Sequence, residues 1–258
     1  FIIAEDKKNP VINQLLNKYP KIIHNINSLE DDIKLILGAK NFAFGDLTFA
    51  PTLLYFNKGV KNVYYLMRKI IAGVDEVGRG SLIGPVYAAA VILKKNIRKK
   101  EIKDSKKLTK IEREKLAKFI KKNSTWAIGY ASVKEIEKLN ILSASLLAMK
   151  RAIKKLKVKP NLVLIDGNKS PELSNYLIKT IIKGDQKIKE ISAASIIAKV
   201  SRDKLMFKMS ESFKKYKWDL NAGYGTREHI NAIRKYGVTR FHRKTFNPIH
   251  NILSLKNK

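Results

Sequence analysis

From residue 70 onward, short apolar runs alternate with longer stretches in which apolar residues recur every three or four positions. Runs of four to eight apolar residues suit buried strands, and the three-to-four spacing suits one face of a helix. Residues 70–74 (IIAGV) read as a strand ending at Asp75, and Val86–Leu93 (VYAAAVIL) as a second. Residues 109–122 read as a helix: Thr109 and Glu112 make a capping box, and Leu116, Phe119 and Ile120 share a face. Residues 126–133 give a third strand. Residues 141–156 give an amphipathic helix with Leu142, Leu146, Met149, Ile153 and Leu156 along one side. Residues 162–165 form an apolar strand before Asp166-Gly167, and residues 176–182 another before Gly184. Residues 192–209 and Arg227–Tyr236 read as helices, the second stopped by Gly237. This alternation predicts an α/β domain on a mainly buried sheet.

Residues 1–68 are patterned differently. Residues 10–19 and 29–37 look helical with Pro20 between them, and residues 45–51 look like a loop. The segment is too short and too weakly patterned for a complete domain, so it reads as a helical N-terminal extension (1–68) to a main domain (69–258). The chain has 258 residues, 45% of them apolar, enough for one large core with an appendage. It begins with Phe1 rather than Met, as a fragment or processed product would.

Charge sharpens the division. Lys and Arg number 53 against 22 Asp and Glu, a net of +31. Residues 1–68 carry nine basic and six acidic side chains, net +3, so residues 69–258 hold 44 and 16, net +28. A Lys-, Ile- and Asn-rich composition is itself a source of excess base, but a uniform bias would spread it evenly. The concentration favours a polyanionic partner, nucleic acid first. With no cysteine, thiolate zinc, iron–sulfur clusters, disulfides and cysteine nucleophiles are excluded. The lack of cysteine also suits a reducing compartment. No uncharged run reaches the roughly 20 residues of a spanning helix, and no signal-peptide pattern is present, so a cytoplasmic location is expected.

The candidate chemistry lies in acids at strand ends. Asp75 and Glu76 follow an apolar run and are flanked by Gly73, Gly78 and Gly80. Neighbours in a strand point to opposite faces, so a turn is expected here to let both carboxylates converge. Asp166 follows NLVLI in the same way, and would meet Asp75 if their strands are adjacent and parallel. Ser192, Ser195, Lys199 and Asp203 recur at spacings of three and four along one helix stripe. Such a stripe is commonly just solvated; here it can face a phosphate and a metal. Four carboxylates without cysteine and with scarce histidine favour Mg²⁺ or Mn²⁺ over zinc.

These residues fall into ordered motifs: Gly73-Val74-Asp75-Glu76-Val77-Gly78-Arg79-Gly80 with Gly84-Pro85, Asp104-Ser105-Lys106-Lys107-Leu108, Asp166-Gly167, Lys183-Gly184-Asp185, Ser192 to Asp203, Gly223-Tyr224-Gly225-Thr226 with His229, and His242 to Phe246. Each is weak alone; together, in order, they resemble bacterial-type ribonuclease HII, of the type 2 ribonuclease H family. The match spans about 180 residues and leaves residues 1–68 outside.

The resemblance implies an RNase H-like mixed sheet flanked by helices, with a C-terminal helical part. It implies Asp75, Glu76, Asp166 and Asp203 as catalytic acids holding two divalent ions, Mn²⁺ or Mg²⁺, about 3.5–4 Å apart. The implied reaction is endonucleolytic. It cuts the RNA strand of RNA–DNA hybrids, and nicks 5′ of ribonucleotides embedded in duplex DNA, leaving a 3′-hydroxyl and a 5′-phosphate. Gly78, Arg79 and Gly80 look like the reader of the ribose 2′-hydroxyl. Tyr224 looks like a residue stacked on the following sugar. Ser105, Lys106, Ser195 and Lys199 look like phosphate contacts. His242, Arg243 and Phe246 match a family motif, with a structural contact the expected role. A monomer acting in replication and ribonucleotide removal is expected. The alternative is a non-catalytic basic nucleic-acid-binding module on the same scaffold.

Overall fold

The structure is a computed structural model that describes residues 2–3, 24–25, 41–44, 59, 61–65, 70–94, 97, 102 and 108–256. Its backbone divides into two compact units, residues 1–68 and 69–258. In the first, β1 (Ile2–Ile3) pairs with β2 (His24–Asn25), and β3 (Asn41–Phe44) with β4 (Asn62–Tyr65), both parallel. These pairings add strand structure to a segment expected to be helical. Parallel neighbours need a crossover between them, which a short apolar run in sequence does not reveal. The expected helices at 10–19 and 29–37 and the loop at 45–51 lie outside the described residues.

The second unit is built on five strands: β5 (Ile71–Val77), β6 (Val86–Leu93), β7 (Ser124–Ala131), β8 (Leu162–Asp166) and β9 (Ile178–Ile181). They are ordered β7-β6-β5-β8-β9, with β5, β6 and β7 antiparallel in turn and β5, β8 and β9 parallel. This is the mixed sheet expected. Among the described residues the α-helices of this unit are α1 (Lys110–Lys122), α2 (Val133–Leu139), α3 (Ile141–Lys154), α4 (Gly184–Lys187), α5 (Lys189–Ser212), α6 (Trp218–Asn221), α7 (Arg227–Tyr236) and α8 (Ile249–Lys256), with a 3-10 turn at Lys214–Tyr216.

Period-two alternation along β6 explains the layering. Ala88 and Ala90 pack with α2 and α3 on one face, while Ala89 and Val91 pack with α1 and α5 on the other. A strand buried on both faces reads as one continuous apolar run. Small residues set the spacing: a Cβ on Gly129 of β7 would lie 2.1 Å from the Ala148 carbonyl oxygen of α3. The buried face of α3 is correspondingly Ala144, Ser145, Ala148, Met149, Ala152 and Ile153, with Leu142 left 38% exposed. Of the expected stripe, Met149 and Ile153 reach the core and Leu146 and Leu156 pack at its margin, while Ala144, Ala148 and Ala152 take the positions of closest approach to the sheet. Helix α2 replaces the expected end of the third strand, since Ser132 and Glu135 form a capping box there.

A third core belongs to the C-terminal part. Trp218, Tyr216, Ile233 and Ile249 surround Leu82 and Ile83 from the β5–β6 connection. That connection is thereby packed between the sheet and the C-terminal helices.

Candidate active site

The carboxyl ends of β5 and β8 bring two acids side by side. Their parallel ladder reaches Val74 opposite Ile165, and Asp75 and Asp166 are the next residues along each strand. The expected turn at Asp75-Glu76 is absent: β5 continues to Val77, because its ladder with β6 carries on through Asp75↔Ala89 and Glu76↔Ala88. Convergence is achieved differently. β8 ends at Asp166, so the last residues of β5 are open beside it, and Asp75, Glu76 and Asp166 all line one cleft. Arg113, Asp185, Ser195, Lys199 and Tyr224 complete its wall. An adjoining cleft toward α3 shares Glu76 and Asp166 and adds Arg79, Ser145, Met149 and Asn168.

Each acid is held by a protein group. Asp75 is buried, and its Oδ1 accepts the Glu76 N–H at 2.7 Å. Burial first, then the charge of Glu76, raises its carboxyl well above the usual range, against a hydrogen bond from Ser195. Burial also raises Glu76, opposed by the Arg79 guanidinium 3.3 Å away. Asp166 Oδ1 accepts the Gly184 N–H at 2.7 Å, at the start of α4. Asp203 lies one turn beyond Lys199 on α5, with the Lys199 ammonium 2.9 Å from Oδ1 and the Arg113 guanidinium 3.9 Å from Oδ2. It does not itself line the cleft; it is tied to it through those two cations. Asp203 Oδ1 is buried without a hydrogen bond, so the Lys199 contact is an ion pair off the hydrogen-bonding direction.

Among the described residues, no group of three or more Asp, Glu or His side chains is arranged to hold a metal ion as it stands. The donor set still suits a hard divalent cation, being entirely carboxylate oxygen. Two observations agree: the Asp203 oxygen lacking a hydrogen bond, and the burial of Asp75 beside the charge of Glu76.

The other expected residues that the structure describes lie beside the cleft. Gly78 and Gly80 follow β5, and a Cβ on Gly80 would lie 3.9 Å from Tyr224 Cε1, so the glycine loop and the tyrosine are neighbours. Ser81 and Tyr224 are joined by an antiparallel bridge. Two cations lie near the Tyr224 ring, Lys199 Nζ at 5.9 Å and the Arg202 guanidinium at 5.7 Å from its centre. Ser195 and Lys199 line the cleft as their spacing suggested. Ser105 and Lys106 lie outside the described residues. Asp185 and Arg113 also belong to the cleft, beyond the residues expected from the sequence. Asp185 is buried at the first turn of α4 right after Gly184, a motif position whose signal was present. Arg113 has none, since it lies on a helix remote in sequence from the acids.

Residues 72–249 match the protein family described as Ribonuclease HII. A Ribonuclease HII of Pelagibacter ubique is 70% identical over 185 residues, covering 72% of this chain and 100% of the relative. One from Neisseria meningitidis serogroup B is 47% identical over 189 residues, covering 73% and 97%. Among solved structures, ribonuclease H2 from Pyrococcus horikoshii aligns with a TM-score of 0.62 at 28% identity, covering 73% of this chain and 99% of that one. Bst-RNase HIII in complex with Mn²⁺ aligns at 0.58 and 16% identity, covering 74% and 71%, and shows the shared fold. With the acids at adjacent parallel strand ends, the glycine loop and tyrosine beside them, and these matches, the chain belongs to the ribonuclease HII family.

Proposed function

We propose that Asp75, Glu76, Asp166 and Asp203 are the catalytic acids of this ribonuclease HII, an endonuclease on the RNA strand of RNA–DNA hybrids. The observation that carries the assignment is the side-by-side placement of Asp75 and Asp166 at the ends of β5 and β8, with Glu76 in the same cleft. The family works with a divalent metal, and Mg²⁺ or Mn²⁺ fits the all-oxygen donor set. Bound there, two such ions would activate water and stabilise the leaving oxygen. The protein's own share is positional. Ser195 and the Glu76 amide orient Asp75, the Gly184 amide orients Asp166, and Lys199 and Arg113 hold Asp203.

Gly78, Arg79 and Gly80 present backbone groups to a ribose 2′-hydroxyl, the group that separates RNA from DNA. Tyr224, against Gly80, packs on the sugar that follows, which selects a ribonucleotide embedded in duplex DNA and a nick on its 5′ side. Lys199, and Ser105 with Lys106, contact phosphates. All of these residues come from one chain, so a monomer suffices. No described helix is long and apolar enough to cross a membrane. Hybrids and ribonucleotide-bearing DNA arise at the bacterial chromosome, which places the work in the cytoplasm during replication and repair.

The test is cleavage of a duplex carrying one ribonucleotide, with Mg²⁺ and Mn²⁺ compared, by wild type, Asp75→Asn and Asp166→Asn. Both variants should lose cleavage yet bind the duplex nearly as well, because metal ligands act on the transition state while basic residues supply affinity. Wild-type cleavage by either variant at saturating metal rejects the assignment. Binding without cleavage by wild type would favour a non-catalytic module.

A further inference from the structure

Two arginines behind the cleft are fully buried, at 0% exposure each. Neither has a carboxylate within ion-pairing distance among the described residues. Burying an unpaired guanidinium is costly, and an apolar side chain would fill the space more cheaply. What the two charges do instead is gather backbone from separate parts of the chain. Arg202 donates through Nε to the Pro85 carbonyl at 3.3 Å and through Nη1 to the Ala222 carbonyl at 2.9 Å. Its Nη2 reaches Ser81 Oγ at 2.7 Å and the Ile83 carbonyl at 3.1 Å. Arg243 donates through Nε to the Gly84 carbonyl at 3.0 Å and through Nη1 to the Arg79 carbonyl at 2.9 Å. Its own backbone N–H meets the Leu82 carbonyl at 2.9 Å.

These contacts fall on the loop that carries Gly78 and Gly80. A guanidinium donates in fixed, coplanar directions, so it sets the orientation of each peptide it holds. The peptide between Arg79 and Gly80 is the informative one. Its carbonyl points inward to Arg243. Across a trans peptide the N–H points the opposite way, so the Gly80 N–H is turned outward, toward solvent beside Tyr224. The adjoining glycine supports the fit: Gly78 has φ +90°, and a Cβ there would lie 2.2 Å from Arg202 Nε. The guanidinium occupies the room a side chain at 78 would need.

We infer that Arg243, with Arg202 beside it, is a positioning residue for ribose recognition: the buried pair sets the Gly78–Gly80 backbone so that the Gly80 N–H faces the substrate. The inference rests on the reading of that loop as the 2′-hydroxyl reader. Neither arginine touches substrate. Both act through the peptide planes they hold, and through Ser81 they lock the loop to the Gly223-Tyr224 turn, where Ser81 Oγ also donates to the Gly223 carbonyl at 2.9 Å.

The experiment measures binding of the full chain to two labelled duplexes, one with a single ribonucleotide and one all-deoxy, with Ca²⁺ as the divalent ion. Duplex integrity is checked on a gel and folding by thermal melt. Wild type should prefer the ribonucleotide duplex. Arg243→Ala and Arg243→Lys should each lose about 5-fold or more of that preference, the worth of roughly one well-made hydrogen bond. Affinity for the all-deoxy duplex should stay within about twofold, since buried groups do not meet phosphates. Lysine keeps the charge but not the fork, so restoration of the preference by Arg243→Lys would overturn the orienting mechanism. A merely structural role would lower the melting temperature and leave the preference intact, which also overturns it. If wild type shows no preference, the loop is not the reader and both proposals fall. Should the Arg243 variants not fold, Ser81→Ala decides, since it removes the oxygen through which Arg202 Nη2 and the Gly223 carbonyl are both tied to this loop. A preference reduced by about twofold supports the clamp, and an unchanged one rejects it.

Discussion

Single residues carry the chemistry here, and their surroundings define what each can do. Tyr224 is held by its own turn: its N–H donates to the Asn221 carbonyl at 2.9 Å, and its carbonyl accepts His229 Nδ1 at 2.9 Å. Its ring edge lies against Gly80, beside the loop proposed to read the ribose. Replacing Tyr224 with Ala should slow nicking at a single ribonucleotide, since a misplacement of about 1 Å can cost on the order of 100-fold. Cleavage within continuous RNA should fall less, because crowding against a second 2′-hydroxyl is relieved. The ratio of the two rates is the measurement. An unchanged ratio with an unchanged melting temperature would make Tyr224 a bystander.

At the scale of elements, packing distance decides which substitutions are tolerated. Strand β7 and helix α3 approach so closely at Gly129 that Ala there must push the helix away. Gly129→Ala should cost about 3 kcal/mol, the upper end of overpacking, read from denaturant unfolding. A cost under about 1 kcal/mol would mean that α3 slides freely on the sheet. The C-terminal helices offer a pH-dependent case. His229 is neutral with both nitrogens used, Nδ1–H donating to Tyr224 and Nε2 accepting from the Trp218 indole at 3.0 Å. His242 Nδ1 accepts the Thr239 N–H at 2.9 Å, and its buried Nε2 has no partner. Burial, then the neighbouring His229, lowers His242 to about 4 from 6.5. The unfolded chain therefore binds a proton that the folded chain refuses. Stability is full above about pH 6.5 and is lost as pH falls toward 4, by about 2–3 kcal/mol. Wild type and His242→Asn should therefore draw closer in stability by that amount between pH 7 and pH 4.5. A constant gap across that range would show that His242 does not titrate there.

For the whole molecule, the boundary after Arg68 separates two compact units and also marks the step in charge. A relative is covered over its full length by 185 matched residues, so a chain of about that size exists as a protein by itself. We expect residues 69–258 to fold cooperatively and cleave without the extension. Nearly all the net charge stays with them, so the salt dependence of duplex binding should also be unchanged, because its slope counts neutralised phosphates. An insoluble or inactive product, or a clearly shallower salt slope, would assign the extension a share of the core or of the substrate path.

Much of the site could be read directly from the residue order. The apolar run closed by Asp166 marked a strand end, the run before Asp75 marked a strand that goes two residues further, and the spacing Ser195, Lys199, Asp203 marked one helix stripe, because period and chain polarity are local properties. The Thr109 capping box was legible for the same reason, and helix α1 starts there. Tertiary structure decided what depends on partners remote in sequence. Glu76 enters the cleft without the expected turn, because β8 ends where β5 goes on. Ala148 and Ala152 join Met149 and Ile153 on the sheet-facing side of α3, because the approach at Gly129 leaves no room for larger side chains there. Arg113 and Asp185 join the site from α1 and α4, and Arg202 and Arg243 meet behind the glycine loop from positions 41 residues apart. No local pattern encodes those meetings; they exist only once the sheet order β7-β6-β5-β8-β9 and the C-terminal helices have closed around the loop between β5 and β6.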